Sequence, residues 1–433
     1  MKCVLTFVTL GFLVAPAWSQ VTTATLYGIL QDSSGAAIPH GTATLTHQGT
    51  GTVIRKVSDV QGEFVFDFLR VGTYLLQIEA AGFKRYESAG IELAAAQNVR
   101  RTFVLEVGAV SETVTVEGSP ALLNTVAAEQ RESLSRKEIT ELPIARRNFS
   151  NILGVGTGIT TGDNGAVRMN GLGRSGAKIT VDGTDATSNP ENPGTSMYQS
   201  FNYIDTMSIE AIQEVQTTKG VIAAEYAHQL SGNVNLISRS GTNDWHGSLF
   251  ENFQADNLNA RAQFLTFKAP LTFNQFGGSS GGPLKRDKVF IFGAYEAYRE
   301  RTSQVVQGDV PTARLRAEML AAVPAYKTFL DSLPLPNQAH DPDGNGGRYI
   351  GAGSSNAHDN HAVLKGDVRL TNSASVAMTY VRGRPYRITP RVSPINSRSW
   401  EGVQERGTAN FTMAGTKWSS ETRFGYNWND IFR

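Results

Sequence analysis

The chain of 433 residues has one cysteine, Cys3, which lies in its first few residues. The rest of the sequence therefore offers no disulfide, no thiolate nucleophile and no cysteine metal site. Charge is also scarce: 40 basic and 39 acidic residues leave a net +1, with no basic excess to hold nucleic acid. Past residue 20 no apolar run reaches the roughly 18 residues a membrane helix needs, which excludes a helical membrane protein. It does not exclude a β-barrel, whose strands give a weak signal one by one. Metal-ligand patterns are equally thin. His40 and His47 have no Glu at zinc-site spacing, and His358 and His361, three apart on an expected strand, do not converge. The run Asp341-Pro342-Asp343-Gly344-Asn345 opens like a calcium loop, but Ala352 stands where that loop needs its Glu. No cofactor and no catalytic residue is expected.

What is present begins with Lys2, an apolar run from Val4 to Ala15, and then Pro16-Ala17-Trp18-Ser19-Gln20. These have the layout of a secretory signal peptide over residues 1–19, so the chain is exported and Cys3 leaves with the signal. With 43 glycines and 40% hydrophobic residues, the remainder suits two or more folded domains.

Residues 21–108 hold short β runs such as Thr25 to Leu30, Glu63 to Phe66, Tyr74 to Glu79 and Val99 to Leu105, separated by turns such as Asp32-Ser33-Ser34-Gly35. This spacing predicts an antiparallel sandwich of about seven strands. Next comes a segment with glycine at both ends, Gly108 and Gly118, and Pro120 after it. Its middle, Glu112, Thr113, Val114, Thr115 and Val116, is β-branched and ready to pair, either as an exposed tether or as a last sandwich strand. Leu134, Ile139 and Leu142 then predict a short helix stopped at Pro143. Gly171-Leu172-Gly173-Arg174-Ser175-Gly176 satisfies the dinucleotide fingerprint, but Lys178 to Asp182 alternates as a strand where that site needs a helix N-terminus. The glycines are read as a bend between strands.

After Ser240 the chain changes character. Leu364, Gly366, Val368 and Leu370 share one face while Lys365, Asp367 and Arg369 share the other, and Phe424, Tyr426 and Trp428 alternate with Arg423, Gly425 and Asn427. A strand between lipid and an aqueous lumen needs this pattern, although a soluble sandwich has the same period. Residues 302–359, with Pro334, Pro336 and many glycines, read as an extracellular loop holding a short helix over 312–322.

Several motifs in order carry a family resemblance. Ser231-Gly232-Asn233-Val234-Asn235-Leu236-Ile237-Ser238-Arg239-Ser240-Gly241-Thr242-Asn243, followed by Trp245-His246-Gly247-Ser248, resembles the end of the plug and the first barrel strand of TonB-dependent outer-membrane receptors of the Oar-like group. That group reads Gly-Gly-x-x-Asn-x-x-Thr-Lys-Ser-Gly-Thr-Asn and then Phe-His-Gly-Ser, so Ser231, Ser238-Arg239 and Trp245 are mild departures. Leu142-Pro143 with Arg147, Asn148 and Phe149, then Asn170-Gly171 and Asp182-Gly183, are similar to its plug motifs. Asn274-Gln275-Phe276-Gly277 and Phe290 to Glu296 are similar to its early hairpin. Gly62-Glu63-Phe64 and Val71-Gly72-Thr73-Tyr74 resemble the carboxypeptidase regulatory-like domain, an accessory sandwich without zinc ligands of its own.

The resemblance implies a mostly β chain in the cell outer membrane: a sandwich (21–108), a linker with the TonB box (109–127), a small α+β plug (128–240) and the start of an antiparallel transmembrane barrel (241–433). Glu112 to Val116 would be the TonB box, added as a strand to TonB, which is driven by its inner-membrane energising complex. Outer-membrane lipid and an unidentified scarce solute are the other partners, and no enzyme activity is implied. Residues 241–433 leave room for about eight strands of roughly 10 residues with their connections, against roughly 22 in plugged transporters. The expectation is therefore a truncated, open sheet beside the plug. A secreted β-sandwich adhesion or glycan-binding protein is the alternative.

Overall fold

The computed structural model describes residues 22–109, 113–116, 130–142, 149–161, 167–171, 177–186, 207–220, 232–260, 268, 270–338, 341–415 and 418–432. The expected signal peptide, Glu112, Arg147 and Asn148 lie outside these residues.

Eight strands come first: β1 (Ala24–Asp32), β2 (Thr42–His47), β3 (Val53–Val57), β4 (Glu63–Leu69), β5 (Gly72–Glu79), β6 (Arg85–Leu93), β7 (Asn98–Leu105) and β8 (Thr113–Val116). They make two sheets, ordered β4-β1-β7 and β3-β2-β5-β6-β8. Alternation sends Leu26, Leu30 and Phe103 from the first sheet, and Leu45, Leu76 and Ile78 from the second, into one shared core. Gly28 makes room for the Phe64 ring, which a Cβ there would meet at 2.0 Å. The sandwich is not wholly antiparallel as expected, because β1 pairs parallel with β7 and β6 parallel with β8. A period of two reports which face a side chain takes but carries no information on strand direction.

The second body contains β9 (Gln130–Ser135), α1 (Arg136–Glu141), α2 (Phe149–Leu153), β10 (Ile159–Thr161), β11 (Val167–Met169), β12 (Ala177–Val181), β13 (Thr184–Asp185), β14 (Ile212–Lys219) and β15 (Gly232–Ser238). Its main sheet is ordered β13-β12-β15-β14-β9, and every residue of the central β15 is buried. Helix α1 starts at a capping box in which Ser135 and Glu138 satisfy each other's backbone N–H, and it buries Ile139. Leu134 is not on that helix as expected. It sits opposite Val215 in the β9–β14 ladder, before the cap.

The third body is an antiparallel sheet of β16 (His246–Ala255), β17 (Leu271–Lys285), β18 (Val289–Pro311), β19 (Gly346–Arg369), β20 (Ala374–Gly383), β21 (Tyr386–Thr389), β22 (Arg398–Ala414) and β23 (Ser419–Phe432). Strands β20 and β21 are two halves of one position between β19 and β22, interrupted around Pro385, which has no N–H for a ladder. Among the described residues β16 and β23 are edges, so the sheet is open. Its inner face sends Phe292, Ala294, Val363 and Val381 into the same core as Ile179, Val181, Ile212 and Val234 of the second body. Its outer face exposes Leu249, Leu364, Met378, Tyr380, Phe424 and Tyr426. Strands β18 and β19 run for 23 and 24 residues, over twice the roughly 10 that cross a bilayer. The expected loop over 302–359 is therefore largely an extended ribbon, and the connection shrinks to 312–345 with helices α3 (Ala313–Ala322) and α4 (Lys327–Ser332).

Candidate functional site

Thr113 to Val116 form an edge strand of the sandwich, in parallel register with Arg85 to Ser88. The chain reaches this edge through a bridge between Phe83 and Val107 and a bond from Gly108 N to Gly82 O at 3.1 Å. This is the geometry of a last sandwich strand, one of the two readings the sequence allowed. Among the described residues β8 pairs on one side only, so its second edge keeps unpaired backbone donors and acceptors.

The plug motifs separate in space. Asn170 and Gly171 make an exposed turn after β11, both with positive φ, and Asn170 N donates to Gly158 O at 2.9 Å. Phe149 begins α2. Asp182 and Gly183, with φ of 48° and 76°, make the tight β12–β13 turn and are buried. Two successive positive φ values favour an Asp-Gly pair here.

The Asp182 carboxylate accepts Ser238 N at 2.9 Å, Ser238 Oγ at 2.6 Å and Thr379 Oγ1 at 2.8 Å. Lys365 Nζ donates to Ser238 O at 3.0 Å and Ser238 Oγ at 2.8 Å. Burial alone would raise the Asp182 carboxyl, but the Lys365 charge and these donors hold it below the usual carboxylate range. One side chain thus joins the β12–β13 turn, the end of β15 and strands β19 and β20 of the third body.

Two further carboxylates repeat the arrangement along the seam. Glu210, buried, accepts Arg136 Nη2 at 2.9 Å and Ser248 Oγ at 2.6 Å, which ties α1 to β16. Glu296 of β18 accepts Ser208 Oγ and, at 2.5 Å, Gln275 Nε2. Sequence reasoning missed Lys365, Thr379, Glu210 and Glu296 as anchors. The inward polar phase of the strands was the signal for Lys365, Thr379 and Glu296, whereas Glu210 lies in the short 3-10 turn Ile209–Ala211 and had none; the partner of each lies far along the chain.

The sandwich is also tied in. Arg70 Nη2 reaches Asp367 Oδ1 at 2.5 Å, Asn243 N donates to Gly49 O at 2.8 Å, and Ala95 N donates to Glu214 Oε2 at 3.2 Å. Gln216 and Arg131 donate to the carbonyls of Ala95 and Ala96. Burial pushes the Glu214 carboxyl up, opposed by Ser133 and the Ala95 N–H. His358 and His361 point to opposite faces of β19, and no group of three or more His, Cys, Asp or Glu suited to a metal occurs among the described residues.

Known proteins resemble this chain in the same order of parts. Residues 25–106 match the carboxypeptidase regulatory-like domain and residues 237–325 an outer membrane beta barrel domain. The TonB-dependent transporter Oar of Myxococcus xanthus is 26% identical over 264 residues, which is 57% of this chain and 24% of the relative. The chain thus spans about a quarter of that relative's length. Among solved structures, the outer membrane transporter YddB of Escherichia coli shares 12% identity at a TM-score of 0.45, covering 69% of this chain and 38% of its own. The ferric enterobactin receptor of Pseudomonas aeruginosa shares 16% at 0.45, covering 69% and 40%. These relatives are transporters and receptors rather than enzymes. The chain is thus similar to Oar, is assigned to the outer membrane by its barrel-domain match, and is mostly β with a sandwich ahead of a barrel-like sheet.

Proposed function

We propose that this outer-membrane chain is the N-terminal portion of a TonB-dependent receptor that takes up a scarce solute, with residues 21–108 as accessory sandwich, 109–127 as tether, 128–240 as plug and 241–433 as barrel wall. The carrying observation is a plug sheet packed on and pinned at several points to the inner wall of an antiparallel sheet whose outer face is apolar. A secreted adhesin has no use for that apolar outer face.

The sheet order gives a mechanical sequence. TonB adds a strand to the tether at Glu112 to Val116, and the backbone carries the pull. The Thr113–Val116 ladder with β6 lies in the path and is stripped first. The pull then reaches β9, the edge strand at the far side of the plug sheet from β12 and β13. Strand β9 peels from β14 while Asp182 keeps the opposite edge on the wall. Arg147, Asn148 and Asn170-Gly171 belong to the plug in this reading, and the inner-membrane complex supplies the energy through TonB.

The test is Val114→Pro, which removes a backbone N–H and so prevents strand addition without touching the outer surface. In the native host it should abolish energised uptake while surface binding of solute persists. Wild-type uptake by this variant would refute the tether assignment, and recovery of the protein in the medium rather than the outer membrane would refute the receptor reading.

A further inference from the structure

The sandwich is joined to the rest of the molecule differently from the way the other two bodies are joined to each other. The second and third bodies share one apolar core, whereas the buried apolar residues of the sandwich form a core of their own. On its side toward the third body lies a cavity of about 530 Å³ lined by His47, Arg70, Thr242, Lys365 and Asp367 among others. Hydrogen bonds and the Arg70–Asp367 ion pair hold it in place, and a polar contact of this kind permits the joined bodies to move apart.

Several of these bonds fall on one seam. The Ala94–Gln97 turn, which carries the chain from β6 to β7, is closed by Ala94 N donating to Gln97 Oε1 at 2.9 Å and Ala96 N donating to Thr23 O at 2.9 Å. Ala95 and Ala96 are both buried, and Ala96 has a φ of 50°, a left-handed conformation disfavoured for alanine. On the facing sheet Ser133 is the register partner of Gln216 and Arg131 that of Thr218, so Arg131 and Ser133 of β9 share a face with Glu214 and Gln216 of β14. Leu134 and Val215 point the other way, into the core. The turn lies across both strands on the polar face. Its Ala95 bonds Glu214 and Gln216 of β14, its Ala96 accepts from Arg131 of β9, and Ser133 of β9 donates to the same Glu214.

The cost of breaking these bonds sets an order of events. If β9 left β14 with the turn in place, Ala96 O would lose Arg131 and Glu214 would lose Ser133 while the turn still covered both, and a buried acceptor stripped of its donor gains no water in exchange. If the sandwich leaves first, water reaches the same groups and the ladder opens from its edge. A pull on β8 loads the sandwich before it loads β9, because β8 pairs with β6, the strand that runs into the turn.

We propose that the docked sandwich is a lock on the plug: the Ala94–Gln97 turn staples β9 to β14, and the sandwich must leave before β9 peels. The proposal rests on the receptor reading above, in which a pull through the tether opens this seam.

Gly49 and Thr242 supply a test, since a Cβ at Gly49 would lie 3.3 Å from Thr242 Cγ2 and Gly49 has no positive φ. Gly49→Cys with Thr242→Cys brings two thiols within disulfide reach and bolts the sandwich to the third body without touching the turn. In the receptor in its native host, with the disulfide verified by mass spectrometry, oxidation should lower energised uptake at least tenfold and a thiol reductant should restore it. Wild-type uptake with the disulfide formed would overturn the lock, whereas an unmodified receptor without energised uptake would overturn the reading beneath it. Hydrogen exchange on the 433-residue chain in detergent tests the staple separately. Arg131→Met with Gln216→Met removes the donors to Ala96 and Ala95, and should speed exchange of the β9 amides at least tenfold while protection at Ser238 and in β1 to β5 stays unchanged. Unchanged β9 exchange, or an equal rise over the whole second body, would overturn the proposal.

Discussion

At the scale of single residues, the informative groups are two carboxylates shifted in opposite directions. Asp182 is held below its ordinary value of 3.8, so the stability it contributes is complete above that value and is lost as pH falls through the lower folded one. Glu214 is raised above 4.5 by burial, so its contribution is complete below 4.5 and is lost as pH rises through the folded value. Mild acidification should therefore stabilise the molecule by relieving the buried Glu214 charge, while the Ala95 N–H bond, which favours the ionised carboxyl, weakens and the Asp182 anchor stays intact. Denaturant melts check this: Glu214→Gln should remove the gain in stability that the unmodified chain shows as pH drops toward 4.5. Asp182→Ala should cost about 3–5 kcal/mol, because it leaves Lys365 buried with its charge unmatched. The double variant Asp182→Ala with Lys365→Met should recover most of that loss in a denaturant melt, since a buried pair replaced by apolar groups is often neutral. The sequence reading placed Asp182 at the end of an alternating strand rather than in a turn, although Asp-Gly is the pair such a turn favours. The partners of Asp182 were not legible, because Thr379 lies 197 positions away and a lumen-facing polar residue does not announce what it meets.

At the scale of elements, strand positions in the sandwich and the barrel wall followed from alternation, while two pairings and one ribbon did not. Parallel contacts of β1 with β7 and β6 with β8 depend on how the chain crosses over, which side-chain period does not encode. The outer halves of β18 and β19 extend beyond the thickness of a bilayer and have no lipid face, so the apolar phase that marks a membrane strand is missing there. The β6–β8 ladder yields a prediction distinct from the proline test. Glu87 and Thr115 are register partners, and a Glu87→Cys, Thr115→Cys pair would lock the tether to the sandwich when oxidised. Energised uptake should fall to background under oxidation and return with a thiol reductant. Uptake indifferent to the redox state, with the disulfide verified by mass spectrometry, would show that the ladder need not open.

At the scale of the whole molecule, the sandwich, the second body and the third share contacts that no local pattern foretells: Arg70 with Asp367, Asn243 with Gly49, and the Ala94–Gln97 turn against β14. The core of the second body is closed on the side of the third by Phe292 and Val363, so the two sheets share one packing unit. The wall itself is unfinished as a hydrogen-bonded surface. Strand β16 pairs only with β17 and β23 only with β22 among the described residues, which leaves two rows of backbone groups unpaired in a setting where each costs several kcal/mol if lipid covers it. A closed barrel resists SDS because it has no edge. This 433-residue chain, purified alone in detergent, should therefore run at the same position on a gel with and without boiling, and should self-associate through β23. Placing a charge in the outward row of that strand, Tyr426→Lys, should reduce the aggregated fraction in sedimentation without altering protease resistance of the sandwich. A fast-migrating, boiling-sensitive monomer from the unmodified chain would mean that β16 and β23 find each other, and the open sheet would have to be abandoned.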